Sequence, residues 1–273
     1  GKAAAPAVAS LTSALADDVV EIRVYAAQAL GQVGPGATAA VPALTERLGD
    51  RVALVRKNSA QAIGRIGTAA DDAIEALTKG INDREKGVRI ACMAALGDLG
   101  IAAGGAMESV ASVFQDKDEA IRAAAVDTYS RIGDEPDVVV PPVTAMLEDE
   151  DWTVRRKACE ALGRVGPAAQ AAAPRLIQLM DSDEDRQVAG RALRRIDMAP
   201  PEATAILVEA LAHGNHRVRY FACRLLGKIG APAQDALPQL QELVQDENED
   251  VAEQAKEAVE RIEKEVSDSH PDP

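Results

Sequence analysis

The chain has 273 residues, of which 47 % are hydrophobic but only 2 % are aromatic. Its core must therefore be built from Ala, Val, Ile and Leu, which suits thin helices that stack closely. The formal net charge is −14 at pH 7. This charge disfavours nucleic-acid binding along the whole surface, because such binding needs many Lys and Arg contacts with phosphates. It leaves room for a local basic patch.

One motif recurs along the chain. In one copy Val55-Arg56 is followed by Ile63-Gly64-Arg65-Ile66-Gly67, and in another Val88-Arg89 is followed by Leu96-Gly97-Asp98-Leu99-Gly100. Successive arginines of the motif are 33 residues apart at Arg23, Arg56, Arg89, Arg122 and Arg155, and the motif returns at Arg186 and Arg219. A fixed period of about 20–50 residues is the signature of a solenoid, in which each unit contacts only its neighbours.

Each unit contains two helical patterns separated by a short polar turn. In the first pattern, Val41, Leu44 and Leu48 lie at i, i+3 and i+7 and form one apolar face. Pro42 falls in the first turn, where its missing N–H has no intrahelical partner, and Pro141 is expected at the same place in its unit. The second pattern carries the motif and ends at its last glycine, which suits a left-handed C-terminal cap.

The repeat predicts one solenoid domain over residues 1–266, followed by a disordered tail over 267–273. The domain contains about eight helix pairs and no sheet, because no stretch alternates apolar and polar residues. The pairs are predicted at 5–35, 40–68, 73–101, 106–134, 139–167, 172–197, 202–231 and 236–266; they are called units one to eight below.

A polar pair recurs with the motif, because an acidic residue lies six positions before the arginine in the first five units. The pairs are Asp17 with Arg23, Asp50 with Arg56, Asp83 with Arg89, Asp116 with Arg122 and Asp149 with Arg155. Asp at this turn can cap free N–H groups of the second helix. The five donors of Arg can bond that carboxylate and turn carbonyls of the same or the adjacent unit. We expect a structural ladder of these pairs and no catalytic role.

The paired helices, the proline of the first helix, and the Asp-x5-Arg and Ala-Leu-Gly-x-Ile/Val-Gly patterns of the second resemble HEAT repeats. Among these, the sequence is most similar to the bacterial HEAT-like repeats named for phycobilisome bilin lyases. The resemblance covers about 5–266. It implies a right-handed superhelix, with first helices on the convex side and second helices lining the concave side. It says little about function, because such repeats serve many unrelated binding roles.

Several units depart from the pattern. Ser182 and His213 replace the ladder Asp of units six and seven, and unit six ends in Arg194-Arg195-Ile196-Asp197 instead of the glycine ending. We expect the curvature to change there. At the other end, the first helix, Pro6–Ala16, carries almost no charge, like the helix of an interior unit. This predicts that further repeats precede it or that its edge associates with a partner or a second copy.

Units five to seven are predicted to form the partner-binding part of the concave face. Helical geometry turns the positions one, two, five and nine after the motif's arginine towards the groove. At these positions Glu160 is the one acid among seven cations, which are Arg156, Lys157, Arg164, Arg191, Arg195, Arg224 and Lys228. Phe221 is expected on the same face, with Trp152 and Tyr220 at its margin. Exposed Trp, Tyr and Arg dominate binding hot spots, although surface cations are often only solvated.

The favoured function is a non-enzymatic scaffold that binds a protein partner, an acidic segment, in this groove. One alternative is a bilin-lyase-like subunit, in which the basic patch pairs with tetrapyrrole propionates and Trp152 and Tyr220 stack on the ring. Another is a nucleic-acid-binding HEAT protein, although the acidic remainder would repel phosphates beyond a short site. His213, His216 and His270 form none of the His-Glu pairs of the di-iron HEAT hydroxylases. Neither a metal nor a cofactor is expected.

Cysteine usage and hydropathy bear on the compartment. Cys92, Cys159 and Cys223 lie among small residues of second helices, so we expect them to be buried and unpaired. No apolar run is evident that approaches the about 18 residues needed to span a membrane. A cytoplasmic location is expected, unless a targeting segment before Gly1 has been removed.

Overall fold

The computed structural model describes residues 5–67 and 71–269. These ranges contain sixteen α-helices, short 3-10 helices and no strand, so the prediction of an all-α solenoid is confirmed. The α-helices are α1 Ala5–Ala14, α2 Val20–Val33, α3 Val41–Arg47, α4 Ala53–Ile66, α5 Asp71–Gly80, α6 Lys86–Leu99, α7 Met107–Ala111, α8 Glu119–Ile132, α9 Pro136–Ala145, α10 Trp152–Val165, α11 Ala173–Leu179, α12 Arg186–Ile196, α13 Thr204–Leu211, α14 His216–Ile229, α15 Leu237–Leu243 and α16 Glu249–Ser269.

The chain divides into two compact units of structure, Gly1–Glu135 and Pro136–Pro273, called the first and second halves below. In the first half, α1 packs on α2, α3 on α4, α5 on α6 and α7 on α8. A short turn joins the two helices of each pair, so they run antiparallel. The second helices form a continuous layer, in which α4 lies between α2 and α6, and α6 packs on α8.

The second half is built from four more pairs. Helix α9 packs on α10, α11 on α12, α13 on α14 and α15 on α16. Among the second helices, α10 packs closely on α12 and α14 closely on α16, whereas α12 and α14 approach each other much less. The layer is therefore loosened at one place, between units six and seven.

Glycine near the end of a second helix explains the close stacking elsewhere. A Cβ added to Gly31, Gly64 or Gly227 would lie 2.9–3.0 Å from the Cα of the alanine that faces it on the next second helix. Only glycine permits such an approach without displacing backbone. In α12 the corresponding position is Arg194, and in α14 the alanine position is Leu225. With these two bulkier residues, the close glycine–alanine contact of the other pairs is not available between α12 and α14.

Two predicted element boundaries are wrong. Pro141 lies inside α9 and not in its first turn, because the segment that is 3-10 helical before α3 and α11 is already α-helical here. The tail was expected to be disordered, but Ser267 to Ser269 continue the last helix, α16. Residues 270–273 lie outside the described residues.

One helical stretch of the described chain, Lys86–Ala111, is long and apolar enough by composition to cross a membrane, which the sequence analysis did not anticipate. The stretch is not one straight helix, since Gly100, at φ 65°, separates α6 from a 3-10 segment and α7. Leu96, Val110 and other apolar side chains of this stretch are buried against the neighbouring helices. These features are those of a core helix in a stacked array.

Candidate partner-binding surface

The arginines of the motif bond in two directions. Arg56 donates from Nε and Nη2 to both carboxylate oxygens of Asp83 in the next unit, each at 2.7 Å, and from Nη1 to the carbonyl of Asp50 in its own turn at 2.9 Å. Arg23 bonds Asp50 and the Asp17 carbonyl in the same way. The partner carboxylate thus belongs to the following unit. The pairing predicted from the sequence, between each arginine and the carboxylate six positions before it, is wrong for these two and for Arg89, which donates to Asp116 at 2.7 Å.

Within its own turn, each of these aspartates also accepts a hydrogen bond from the backbone N–H two positions later. Asp50 accepts the N–H of Val52 at 2.8 Å and Asp83 that of Glu85 at 2.9 Å. Burial raises the pKa of both carboxyl groups, but the arginine of the preceding unit and these N–H groups outweigh it and hold the pKa below 3.8. Each aspartate is therefore an ionised link that closes a turn and binds one unit to the one before it.

The ladder continues in altered form beyond residue 136. Arg219 bonds both carboxylate oxygens of Asp246, at 2.7 and 2.8 Å. Ser182 occupies the position at which the preceding units have the ladder aspartate. Arg155 instead donates to Asp185 at 2.8 Å, and the carboxylate of Asp185 is buried. Arg155 also donates to the Asp149 carbonyl at 2.9 Å. Unit six is two residues shorter than the others, since Arg186 follows Arg155 after 31 residues and not 33. The carboxylate of Asp185, three positions after Ser182, takes the place of the ladder aspartate.

Unit seven carries His213 in place of the aspartate. Its Nδ1 accepts the N–H of Asn215 at 2.9 Å, as a carboxylate oxygen would, and its Nε2 lies 2.9 Å from Asp181. An imidazole has no carboxylate oxygens that could accept two hydrogen bonds from the guanidinium of Arg186. Arg186 pairs with Asp183 of its own turn instead. The ladder therefore lacks its arginine–aspartate pair between Arg186 and the turn of unit seven.

Three of the predicted cations come together on α10 and α12. Arg164, Arg191 and Arg195 line a cleft of about 440 Å³ between these helices, with Glu160 and Val188. Arg191 and Arg195 are exposed, and no ion pair of either is found within the described residues. The stem of Arg195 lies across Gly163, since a Cβ there would be 3.4 Å from its Cδ. Glu160 is bonded to Lys157 at 3.0 Å, so the cleft is basic.

Two further predicted cations are neutralised by an acid that the sequence analysis did not include. Asp197 pairs with Arg224 at 2.6 Å and with Lys228 at 3.2 Å. Burial raises the pKa of Asp197, but the hydrogen bonds and charges of both cations outweigh burial and hold the pKa below its usual value. Asp197 caps α12 in the left-handed conformation at φ 49°, where other units have glycine. In the sequence, the missing glycine ending of unit six was the feature that could have pointed to Asp197.

The aromatic residues divide between exposed and buried positions. Trp152 is the first residue of α10, 42 % exposed, and the guanidinium of Arg156 lies 5.2 Å from its ring centre. Phe221 is only 2 % exposed and does not face the groove as predicted. Its side chain lies between α12 and α14 and packs edge-on against half-buried Tyr220, with ring centres 5.4 Å apart. Arg194, absent from the predicted set, lies 5.8 Å from the Phe221 ring.

The cysteines contribute no reactive group. Cys92, Cys159 and Cys223 are free and buried, and burial raises the pKa of each thiol to about 12. Over the described ranges, no group of three or more His, Cys, Asp or Glu side chains is placed to hold a metal ion.

Comparison with solved structures shows the same fold. An engineered protein covers 96 % of this chain at 21 % identity and a TM-score of 0.60, with 81 % of its own length matched. Importin β matches 95 % of this chain at 19 % identity and a TM-score of 0.66, and a Kap95:Nup1 complex matches 97 % at 18 % and 0.64. The chain spans about two fifths of those two proteins, 40 % and 41 %.

Comparison with protein families identifies the repeat. No curated protein matches this sequence significantly. The assignment to the bilin-lyase type of HEAT-like repeat is not tested by these comparisons and stays a prediction. The sequence profile of the HEAT repeats matches residues 8–97, 107–197 and 173–260. These segments cover most of the chain and coincide with the paired helices and the arginine ladder. The chain therefore belongs to the HEAT-repeat family.

Proposed function

We propose that this protein is a non-enzymatic binding scaffold whose second half holds an acidic segment of a protein partner. The observation that carries the proposal is the cleft between α10 and α12. It brings Arg191 and Arg195, both exposed and without an ion pair in the described residues, beside Arg164 in a chain of net charge −14. Guanidinium groups bind carboxylates in a bidentate manner, and like charges held together gain when an acidic partner reduces their repulsion.

The chemistry of the cleft supports binding and no reaction. Arginine remains charged and cannot serve as a general base. The one carboxylate of the cleft, Glu160, is bonded to Lys157. Trp152, with Arg156 over its ring, offers an additional exposed contact on the same helix. An acidic protein segment fits better than a nucleic acid, since the cations are local and the rest of the chain would repel a phosphate backbone.

The fold is compatible with this role. One structural neighbour is a complex of Kap95 with Nup1, and another reports Kap95p bound to RanGDP. Solenoids of this kind present extended surfaces built from the second helices of successive repeats. The shared fold does not specify the partner, so the proposal depends on the charge and exposure of the residues named above.

The experiment measures binding of a fluorescein-labelled glutamate nonapeptide to the full chain by anisotropy. We expect Arg191→Glu with Arg195→Glu to abolish binding, and we expect wild-type binding to weaken as salt rises, because exposed charges are screened. The matched control is Lys57→Glu with Arg65→Glu. It changes the charge equally on a second helix of the first half and should leave binding unchanged. Equal binding by wild type and the Arg191/Arg195 variant would refute the proposal.

A further inference from the structure

A second cleft lies on the other side of α12. It has a volume of about 520 Å³ and opens between α12 and α14. Its base contains Met180, Gly190 and Phe221, and its rim carries Arg194, Arg217 and Tyr220. Its volume is within the range of about 300–1,000 Å³ that is usual for sites that bind small molecules or anchor side chains, but most of its lining is polar or charged, including Arg186, His216 and Asp250.

The cleft exists because two positions of the repeat are changed. In four other pairs of second helices, a glycine faces an alanine and allows the helices to touch, as Gly163 and Ala192 do between α10 and α12. Arg194 and Leu225 occupy these positions between α12 and α14. The separation is larger than Phe221 alone fills, and the gap beside its ring remains open.

The two clefts share one helix. On α12, Gly190 and Arg194 line the second cleft and Arg191 and Arg195 line the basic one. A turn of about 100° per residue separates the two sets of side chains. A peptide that crosses α12 can therefore reach both clefts with neighbouring residues.

The charges of the second cleft also favour an acidic segment. Arg194 and Arg217 take part in no ion pair within the described ranges, and Asp250 is the one acid of the lining. Arg194 already lies over the face of Phe221. An aromatic ring entering here would meet Phe221 and the guanidinium of Arg194, and offset or edge-on ring contacts are favourable.

We propose that this cleft is an anchor pocket for an aromatic side chain that lies among acidic residues of the bound segment. The inference rests on the proposed function, because it concerns the same segment. The basic cleft provides attraction for carboxylates of any sequence, whereas the anchor pocket selects those segments that contain an aromatic residue.

The test compares two labelled heptapeptides on the full chain by anisotropy. Both have three glutamates on each side of a central residue, which is phenylalanine in one and glycine in the other. We expect the phenylalanine peptide to bind wild type about ten-fold more tightly, as burial of an aromatic side chain predicts. Gly190→Leu should remove this advantage, because a Cβ there already lies 3.4 Å from Phe221 and 3.7 Å from Met180. Gly214→Leu, where a Cβ meets nothing within 4 Å, is the matched control.

Folding and charge are controlled separately. Helicity and melting are measured for each variant, and Gln187→Trp covers the same cleft from an exposed position if Gly190→Leu is unstable. Equal affinity of the two peptides for wild type, or an advantage that persists in the variant that fills or covers the cleft, overturns the anchor pocket alone. If neither peptide binds wild type, both proposals are overturned. Phenylalanine-peptide binding that is as tight in the Arg191→Glu with Arg195→Glu variant as in wild type supports the pocket and overturns the basic cleft.

Discussion

Replacement of Arg56 by methionine tests whether the ladder holds the units together. Methionine keeps most of the side-chain volume but removes all donors. The Asp83 carboxylate then loses two bonds of 2.7 Å, and the Asp50 carbonyl loses one of 2.9 Å. The side chains of Arg56 and Asp83 are only 8 % and 13 % exposed, so water replaces these bonds poorly.

The expected loss in the free energy of unfolding is large for a single residue near the surface. Removing one partner of a buried ion pair costs about 3–5 kcal/mol, chiefly because the remaining charge is left unpaired. The slight exposure of Asp83 places this case at the lower end, about 3 kcal/mol. The adjacent Arg51 is exposed and its side chain makes no ion pair in the described residues. Arg51→Ala should therefore change stability by less than about 0.5 kcal/mol.

A second substitution separates the unpaired charge from the lost contact. Asp83→Asn keeps an oxygen for the Glu85 N–H, at 2.9 Å in the wild type, but carries no charge. The double variant, Arg56→Met with Asp83→Asn, should therefore recover at least half of the stability lost by Arg56→Met alone, since it removes the buried unpaired carboxylate.

The measurement is urea unfolding followed by far-ultraviolet circular dichroism, with hydrogen exchange of α4 and α6 to locate the effect. Hydrogen exchange is needed because solenoids can unfold in parts. The reasoning is refuted if Arg56→Met unfolds at the same urea concentration as Arg51→Ala, or if the double variant is less stable than the single one.

Four further outcomes are expected. Below about pH 4 the chain should lose stability, because the folded pKa of the ladder carboxylates lies below 3.8; their contribution is present above that value and is lost as pH falls through the folded pKa, as acid titration by circular dichroism will show. Gly64→Ala should cost about 1–3 kcal/mol in urea unfolding, since its Cβ would lie 2.9 Å from the Ala95 Cα, whereas Gly105→Ala, in open space, should not. The three thiols should resist Ellman's reagent in the native chain and react in denaturant, because burial raises each pKa to about 12. Asp197→Asn should strengthen glutamate-peptide binding about three-fold in the anisotropy assay, since it releases Arg224 and Lys228 from two partly buried ion pairs, each worth on the order of 1 kcal/mol.

The sequence determined the repeat, the fold class and the face of each helix. The period of the arginines fixes the unit, and the 3.6-residue periodicity of apolar residues fixes which side of each helix is buried. Arg164, Arg191 and Arg195 could be assigned to one surface for this reason, because their positions in the repeat are equivalent to exposed positions of the other units.

The tertiary structure decided the contacts between units, which depend on how far one helix pair is rotated and shifted relative to the next. A motif within one unit cannot show that Arg56 bonds the carboxylate of the following unit, since Asp50 and Asp83 are equivalent in the sequence. Nor can it show that Asp197, at the end of α12, reaches Arg224 on α14. The cleft beside Phe221 has the same origin: Arg194 and Leu225 are ordinary residues in a helical pattern, and only the packing of α12 against α14 turns them into a spacer, because the volume of two facing side chains sets the distance between the helices.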